Sequence, residues 1–328
     1  MLIRLLRSYG SLLGLLLIGA VLSLLSDRFL TTSNIINVAR QVSINAIVAA
    51  GMTVVIITGG IDLSVGSTIA LAGCSALLVA RGTGDLVGMA AGLGAGALVG
   101  LLNGGLVAWG RVPPFIATLA TMTIVRGGAL VLTNGEPIVQ STGLYLWLGQ
   151  ASFGPIPIPI LLMAAVLFGT HWFLARTRWG TYVYAVGGNA EAARLAGISL
   201  AGIQILVYVL AGALSGLAGL VLAARLSSAQ PNTGVGFELD AIAAVVLGGT
   251  SLMGGEGTIW GTMVGAFIIG ILNNGFNLMN VSPFYQLIAK GAVIVLAVLV
   301  DQLVKAGMAS GRAGSPVAAA TVGGPPAA

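Results

Sequence analysis

Residues 201–223 read A-G-I-Q-I-L-V-Y-V-L-A-G-A-L-S-G-L-A-G-L-V-L-A, a continuous apolar run that contains no charged residue. An α-helix of about 20 apolar residues crosses the hydrocarbon core of a bilayer. A transmembrane β-barrel would instead need strands of about ten residues in which apolar and polar side chains alternate. The run therefore predicts a membrane-spanning α-helix.

The composition extends this prediction to the whole chain. Of its 328 residues, 57% are hydrophobic and 7% are charged, whereas a soluble domain carries about 25% charged residues. Because so few charges cannot cover an aqueous surface, we expect lipid to surround most of the chain. The apolar runs predict an all-α polytopic membrane protein with about ten transmembrane helices. Their expected bounds are 8–26, 35–57, 64–80, 86–109, 115–133, 157–174, 201–223, 239–254, 258–279 and 284–301.

The chain contains fifty glycines, and many of them lie in these runs. Helices in lipid associate through close packing, and small residues spaced four apart let two backbones approach each other. That spacing occurs at Gly100 and Gly104, at Gly212 and Gly216, and at Gly261 and Gly265. The pairs indicate helix–helix contacts, although a chain so rich in glycine also produces such pairs by chance.

The two ends of the chain differ from its middle. Residues 1–26 resemble a secretory signal peptide, but no small-x-small cleavage site follows the apolar part cleanly, so we expect an uncleaved first helix. Residues 306–328 are rich in Ala, Gly and Pro without a hydrophobic period, which predicts a disordered tail. The transmembrane domain is therefore expected over 1–305.

The distribution of cations predicts the orientation. The net charge of +5 does not indicate nucleic-acid binding. The positions of the Lys and Arg residues are more informative, because these residues are enriched on the cytoplasmic side of membranes. A cytoplasmic N-terminus leaves only Arg28, Arg81 and Arg225 in outer segments. The inner segments then hold Arg4, Arg7, Arg111, Arg176, Arg178, Arg194, Lys305 and Arg312. Both termini and the segment 175–200 are thus expected inside, and the loop 134–156 outside.

Two motifs occur twice, in the same order. G-G-x-x-L-x-x-G lies at 59–66 and again at 248–255, and L-N-x-G-x7-P lies at 102–113 and again at 272–283. The two ordered matches predict a two-half internal repeat, a common plan among transporters. The interval between the motifs is longer in the first copy by about one span. Either one Gly-Gly segment does not fully cross the membrane, or the halves are not simply parallel.

The sequence contains no catalytic constellation. His171 is the only histidine, so neither a metal site nor an acid–base pair can be assembled around a second one. A phosphate-binding P-loop needs Gly-Lys-Ser/Thr, and the two lysines, Lys290 and Lys305, precede Gly and Ala. We therefore expect a protein that is not an enzyme and binds no cofactor. If ATP drives it, another polypeptide hydrolyses the ATP.

Polar residues inside the runs are candidates for a pathway or a gate. Asp62 and Ser64 lie in the first Gly-Gly motif (59–66), where a broken helix near mid-membrane would place a substrate site; a tight cytoplasmic turn with Asp62 as its N-cap fits equally well. The repeated Leu-Asn segments add amides that could contact a polyhydroxylated solute, although such side chains more often link neighbouring helices. These are Asn103, Asn273, Asn274 and Asn277.

Charged residues within the spans form a second group of candidates. Arg40, Arg126 and Lys290 fall inside or at the edge of apolar runs. Charge inside a membrane is costly and marks a transport pathway or a buried pair. The alternative is that these long side chains extend to a nearby membrane surface.

The stretch before the opening run, 187–198, reads G-G-N-A-E-A-A-R-L-A-G-I and is hydrophilic. Its residues 189–198 predict a short helix across the membrane surface, in which Glu191 and Arg194 can pair at a spacing of three residues. One interpretation is a helix that docks into a soluble motor. The other is an amphipathic connector resting on lipid headgroups. Composition does not decide between them.

Here the residues resemble a known family. E-A-A-x3-G at 191–197 is similar to the cytoplasmic coupling motif of ABC importer permeases, and the chain from about 30 to 303 resembles the pentose/hexose sugar permeases. N-N-G-F-N-L at 273–278 with Y-Q-L-I at 285–288 is most similar to their ribose members. The other matching segments are 59–67, V-P-P-F-I-A-T-L-A at 112–120, 187–198, R-L-S-S-A-Q-P at 225–231 and 239–252.

The resemblance implies an ABC importer permease in the bacterial inner membrane, present as a homodimer. It also implies a cytoplasmic ATP-binding subunit with two nucleotide-binding modules, a periplasmic sugar-binding protein and a monosaccharide substrate, most simply D-ribose. The coupling residues would be Asn189, Glu191, Ala192, Ala193, Arg194 and Gly197. Another monosaccharide or a signalling furanose stays open as the substrate. A self-sufficient secondary transporter is the main mechanistic alternative, and a channel the third. The Ala/Gly/Pro tail departs from the family pattern.

Overall fold

The computed structural model describes residues 2–139, 143–293, 295, 296 and 299, with side chains described from Gly10 onward. Twelve helices are bounded within this part of the chain. They are α1 (Leu2–Leu25), α2 (Thr32–Ile57), α3 (Val65–Thr83), α4 (Asp85–Ala108), α5 (Pro114–Thr133), α6 (Leu144–Gln150), α7 (Ile158–Arg176), α8 (Arg178–Gly188), α9 (Ala190–Leu195), α10 (Leu200–Leu226), α11 (Phe237–Leu247) and α12 (Ile259–Leu278). Residues 283–293 are also helical.

Two short antiparallel pairs supplement the helices. Strands β1 (Ile138–Val139) and β4 (Ser228–Ala229) join the segment after α5 to the segment after α10. Strands β2 (Ser152–Phe153) and β3 (Ile156–Pro157) form a hairpin before α7. Within the described residues the fold is therefore an α-helical bundle with local strand pairs between its helices.

Seven of the described helices are long and apolar enough to cross a membrane: α2, α3, α4, α5, α7, α10 and α12. The chain is therefore a multi-pass membrane protein. The first predicted span, 8–26, falls on α1, whose apolar stretch Gly10–Leu25 is shorter than the others. The last predicted span, 284–301, includes residues outside the described ones, as does the whole predicted tail 306–328.

One predicted span is wrong. The run 239–254 forms a helix only as α11, which has 11 residues and is about 16 Å long at 1.5 Å per residue. The helix ends because Gly249 adopts a left-handed φ of +85°. The N–H of Gly249 bonds the carbonyl of Val246 at 2.9 Å, and that of Thr250 bonds Val245 at 3.2 Å. Apolar composition continues past this point, but helical geometry does not.

The first Gly-Gly motif (59–66) ends α2 in the same way. Gly59 has φ +80°, its N–H bonds the carbonyl of Ile56 at 2.9 Å, and the N–H of Gly60 bonds Val55 at 3.1 Å. This is the Schellman arrangement, in which a left-handed residue closes a helix. The two Gly-Gly motifs are thus structurally equivalent helix ends.

The two ends of the bundle can be told apart by what they carry. The α9 end holds α8, α9, the C-terminus of α2 and the segment 248–258, whose Gly255 N–H bonds the carbonyl of Ile57 at 2.9 Å. The sheet end holds the β1–β4 pair and the C-termini of α1 and α12; there Gly275 of α12 packs against Leu22 of α1. Asn103, in the first Leu-Asn motif (102–113), lies toward the α9 end beside Ser64. Asn274, in the second (272–283), lies toward the sheet end beside Asn34. The two Leu-Asn motifs therefore occupy opposite ends.

Glycines make the closest helix contacts. Helices α4 and α10 share the most extensive interface in the described bundle, where an added Cβ at Gly96 or Gly212 would collide with backbone atoms of the partner helix. Gly265 of α12 lies equally close to the carbonyl of Ala244 in α11. All three predicted glycine pairs lie at such contacts, so those predictions are confirmed. Residues 100, 104, 212 and 216 join α4 to α10, and residues 261 and 265 join α12 to α11 with its terminal Gly248.

Candidate functional site

The segment 187–198 folds as its composition predicts, into the short helix α9. Asn189 is the N-cap residue, and its side-chain oxygen accepts the N–H of Ala192 at 2.9 Å. At the other end Gly197 has φ +82°, and the N–H of Ile198 bonds the carbonyl of Ala193 at 3.0 Å. Caps at both ends are needed because a six-residue helix has too few internal bonds to persist alone.

Charge and exposure mark α9 as a surface for contact. Arg194 Nη2 lies 2.6 Å from Glu191 Oε1, and the two side chains are 60% and 65% exposed, which confirms the predicted pairing. The hydrogen bond from Arg194 lowers the pKa of Glu191 below its usual value and keeps the carboxylate charged. Leu195 is 75% exposed, whereas Ala193 is buried and holds α9 against the bundle. Polar, charged and apolar groups are thus presented together outside the bundle.

A backbone junction connects this segment to both Gly-Gly motifs. Gly187, at the end of α8, packs directly against the carbonyl of Ile57 and the amide of Gly255. The Tyr184 hydroxyl donates to the carbonyl of Gly257 at 2.8 Å. An added Cβ at Gly254 would lie 2.9 Å from the carbonyl oxygen of Gly187. Movement of α8 and α9 must therefore displace the end of α2 and the segment 248–258.

The pathway candidates Asp62, Ser64 and Asn103 meet in one buried polar cluster. Asp62 Oδ1 accepts the N–H of Ser64 at 2.9 Å and its hydroxyl at 2.6 Å. The Asn103 side-chain amide donates to Ser64 Oγ at 2.8 Å. All three residues are at most 1% exposed. Within the described chain Asn103 Oδ1 has no hydrogen-bond partner.

The chain break around this cluster lies inside the bundle. The carbonyl of Ile61 accepts the hydroxyls of Thr118 at 3.1 Å and Tyr208 at 3.3 Å. Asn103, Thr118 and Tyr208 each lie about one to two turns from the nearest end of their helices. The segment is therefore a helix-ending turn, as one interpretation of the sequence has it, but the N-cap residue of α3 is Ser64 and not Asp62 as predicted. The turn is buried below the helix ends, as the other interpretation requires.

The remaining asparagines do not join this cluster. Asn274 and Asn34 exchange two side-chain hydrogen bonds, of 2.8 and 2.9 Å, between α12 and α2. Asn277 accepts a bond of 3.0 Å from Gln286, which lies in the helical residues 283–293. Both amides link neighbouring elements, which is the simpler of the two roles that the sequence allows. Asn273 lies elsewhere, beside Asp240.

Two of the three charged candidates within the spans, Lys290 and Arg126, have specific partners. Lys290 Nζ lies 3.0 Å from Asp240 Oδ2, with side chains 27% and 7% exposed. Arg126 Nη1 donates to the carbonyls of Pro231 and Thr233, each at 2.6 Å, and so fixes the segment that precedes α11. Arg40 Nε is buried without a hydrogen-bond partner in the described part of the chain. Asp240 was missed by sequence reasoning, although an acid within the apolar run 239–247 is a usable signal.

The described side chains do not assemble a candidate metal centre. No group of three or more His, Cys, Asp or Glu side chains is placed to hold a metal ion among these residues. The ring of His171 lies 5.4 Å from that of Trp260, between α7 and α12, which is a packing contact.

Known proteins match the chain over most of its length. The family described as "Branched-chain amino acid transport system / permease component" matches residues 34–298. The ribose import permease protein RbsC of Escherichia coli (strain K12) is 51% identical over 296 residues, covering 89% of this chain and 92% of that protein. The protein of that name in Bacillus subtilis (strain 168) is 47% identical over 304 residues, or 90% and 93% of the two chains. An L-arabinose ABC transporter permease protein of Azospirillum brasilense is 42% identical over 302 residues, or 91% and 88%. No solved structure matches.

Proposed function

The chain belongs to the branched-chain amino acid transport system permease component family, and from that premise we propose that it is the membrane subunit of an ATP-driven ribose importer. The observation that carries the proposal is the identity of 46–51% to ribose import permeases along nine-tenths of the chain. Relatives named for L-arabinose and D-allose are 39–42% identical. Another monosaccharide or a signalling furanose is the alternative substrate within the same role.

The number of membrane crossings, the oligomeric state and the orientation are inferred to be those of an importer permease. We infer about ten membrane crossings, a homodimer, and an inner-membrane location with the α9 end and both termini in the cytoplasm. The orientation is supported by Arg176, Arg178 and Arg194, which cluster at the α9 end. A duplicated arrangement is supported by the equivalent ends of α2 and α11. The opposite placement of the two Leu-Asn motifs means that the halves are not parallel copies.

The energy for transport would come from ATP hydrolysis by a partner subunit. We infer a cytoplasmic ATP-binding subunit with two nucleotide-binding modules and a periplasmic sugar-binding protein, with no cofactor held by this chain. The exposed helix α9, with Asn189, Glu191, Ala192, Arg194 and Gly197 at its surface and Ala193 beneath, is the docking element. ATP-driven closure of the motor would push α9, and the junction at Gly187 would pass that displacement to α2 and the segment 248–258.

Reconstitution tests the transport role. In proteoliposomes, ribose uptake should require this chain, the ATP-binding subunit, ATP and the ribose-loaded binding protein together. Omitting the ATP-binding subunit is the control and should abolish uptake. If this chain alone accumulated ribose under an ion gradient, the chain would be a secondary transporter and the proposal would be refuted.

Substitution of α9 tests the coupling role separately. Glu191→Lys reverses an exposed charge, and Gly197→Val places a β-branched residue at φ +82°. Both should reduce ribose-dependent ATP hydrolysis and uptake by at least tenfold while the sugar-binding protein still captures ribose. Glu136→Lys, an exposed acid near the sheet end, is the matched control and should leave both activities unchanged. Full uptake by both α9 variants would remove α9 from the coupling role.

A further inference from the structure

We propose that Asp240, Lys290 and Asn273 form a binding site for the hydroxyl groups of the transported monosaccharide inside the bundle. The inference rests on the proposed function, because it takes the solute to be a neutral polyol. It adds Asp240 to the candidates and separates Asn273 from the other asparagines of the Leu-Asn motifs.

Three elements bring these side chains together. Asp240 lies in the first turn of α11, Asn273 lies on α12, and Lys290 lies in the helical residues 283–293. The Lys290 ammonium contacts the Asp240 carboxylate at 3.0 Å, and the Asn273 side chain faces the same carboxylate. The site is therefore assembled from separate helices, as a site that opens and closes during transport must be.

The segment before α11 packs against α3 and α5, whereas Val235 and Leu239 are 72% and 49% exposed. Gly66 of α3 packs against the carbonyl of Gly234, just before α11, and Arg126 holds the carbonyls of Pro231 and Thr233. An irregular segment followed by a short helix is where transporters place substrate groups, because such backbone is tolerated in a membrane when it is buried in protein or lines a cavity.

An unfilled hydrogen-bonding position points to a ligand. Asn273 is 6% exposed, and its side-chain carbonyl oxygen is buried with no hydrogen-bond partner among the described residues. A buried acceptor without a donor is unfavourable, so a simple structural ion pair does not account for it. A sugar hydroxyl can donate a hydrogen bond to this oxygen.

The remaining groups suit a neutral polyol. One hydroxyl can donate to the Asp240 carboxylate while accepting from Lys290, whose ammonium has three N–H donors and whose side chain is 27% exposed. A second hydroxyl can donate to Asn273 Oδ1. Because the ion pair carries no net charge, the site provides no counter-ion for a charged solute. Asn273 is about one to two turns from the sheet-end terminus of α12, so the solute would reach the site from that end.

Uptake by the reconstituted complex tests the site. Asn273→Leu keeps the size of the side chain and removes the acceptor, and we expect at least a tenfold loss of ribose uptake with ATP hydrolysis within twofold of wild type. The double variant Asp240→Lys with Lys290→Asp keeps an ion pair but exchanges the two charged groups. We expect its ribose uptake to stay far below that of the wild type. Thr123→Val is the control, since that exposed hydroxyl bonds only the Leu119 carbonyl of its own helix. Wild-type uptake by the Asn273 variant or by the double variant would overturn the proposal.

A labelling measurement separates this proposal from the choice of ribose. Asn277→Cys, one helical turn from Asn273 on α12, in a Cys74→Ala background leaves the proposed site intact and presents a single thiol to a small methanethiosulfonate reagent. Excess monosaccharide should slow its modification at least threefold, with ribose the most effective of a panel. Protection by a different sugar would refute ribose as the substrate and retain the site. No protection by any monosaccharide, with uptake intact in the wild type, would refute the site.

Discussion

Replacing Gly187 by alanine should disconnect the coupling segment from the rest of the bundle. A methyl group at this position would overlap the carbonyl oxygen of Ile57 and lie 2.7 Å from the amide nitrogen of Gly255. Both are backbone atoms, so no side chain can rotate away to make space. Gly188, the next residue of the same helix, has no atom within 4 Å of the equivalent position and provides a matched control.

The expected size of the effect follows from the contacts. Overpacking of a well-packed interior costs about 1–3 kcal/mol, and losing the Gly255–Ile57 backbone hydrogen bond costs about 1 kcal/mol. Alanine is better than glycine in a helix by about 0.5–1 kcal/mol. Gly187→Ala should therefore destabilise the protein by about 1–3 kcal/mol, whereas Gly188→Ala should leave its stability unchanged or raise it by up to about 1 kcal/mol.

The Gly187 substitution should change both the free energy of unfolding and the ribose-dependent ATPase activity. The unfolding free energy of each purified variant is measured by denaturant titration in detergent, and ribose-dependent ATP hydrolysis is measured after reconstitution with the partner subunits. We expect the alanine at 187 to lower both and the alanine at 188 to lower neither. Equal stability and equal ATPase activity in the two variants would show that the junction at Gly187 is not close-packed and does not transmit movement.

Three further substitutions test other parts of the bundle by the same unfolding measurement. Arg126→Met removes two charge-assisted hydrogen bonds and should destabilise the protein by about 3 kcal/mol; a loss below about 0.5 kcal/mol would contradict the role of Arg126 in holding the segment before α11. A double-mutant cycle on Asn34→Ala and Asn274→Ala should give a coupling energy of about 0.6–1.7 kcal/mol, and additive effects would exclude their pairing. Ser64→Ala leaves Asp62 with fewer donors and should cost about 1–3 kcal/mol, whereas no change would mean that water replaces the hydroxyl.

The sequence predicted the spans well wherever an apolar run coincides with one helix. Residues 201–223, for example, lie wholly within α10. The exception is 239–254, because hydropathy does not register the change of backbone at Gly249, where the left-handed conformation ends the helix. The pairing of Glu191 with Arg194 was predictable because the two residues are neighbours in the chain, whereas the caps of α9 at Asn189 and Gly197 were first seen in the structure.

The interior polar contacts were less accessible to sequence reasoning, since they depend on which helices touch. Asn34 and Asn274 pair across 240 positions, and no local pattern distinguishes Asn274 from Asn273. Lys290 was recognised as an intramembrane charge, but its partner Asp240 lies 50 positions earlier. Periodicity and motif spacing carry no information on such pairings, so the site around Asp240 emerges only from the folded chain.

The glycine contact between α4 and α10 makes the two helices a single rigid unit of the bundle. With backbones touching through Gly96 and Gly212, the two helices cannot slide past each other without steric collision. Helix α10 has 27 residues, about 40 Å at 1.5 Å per residue, and begins five residues after α9 ends. A tilt of about 5° at the α9 end would therefore swing the far end through roughly 3.5 Å, enough to open or close a passage the width of a hydroxyl group.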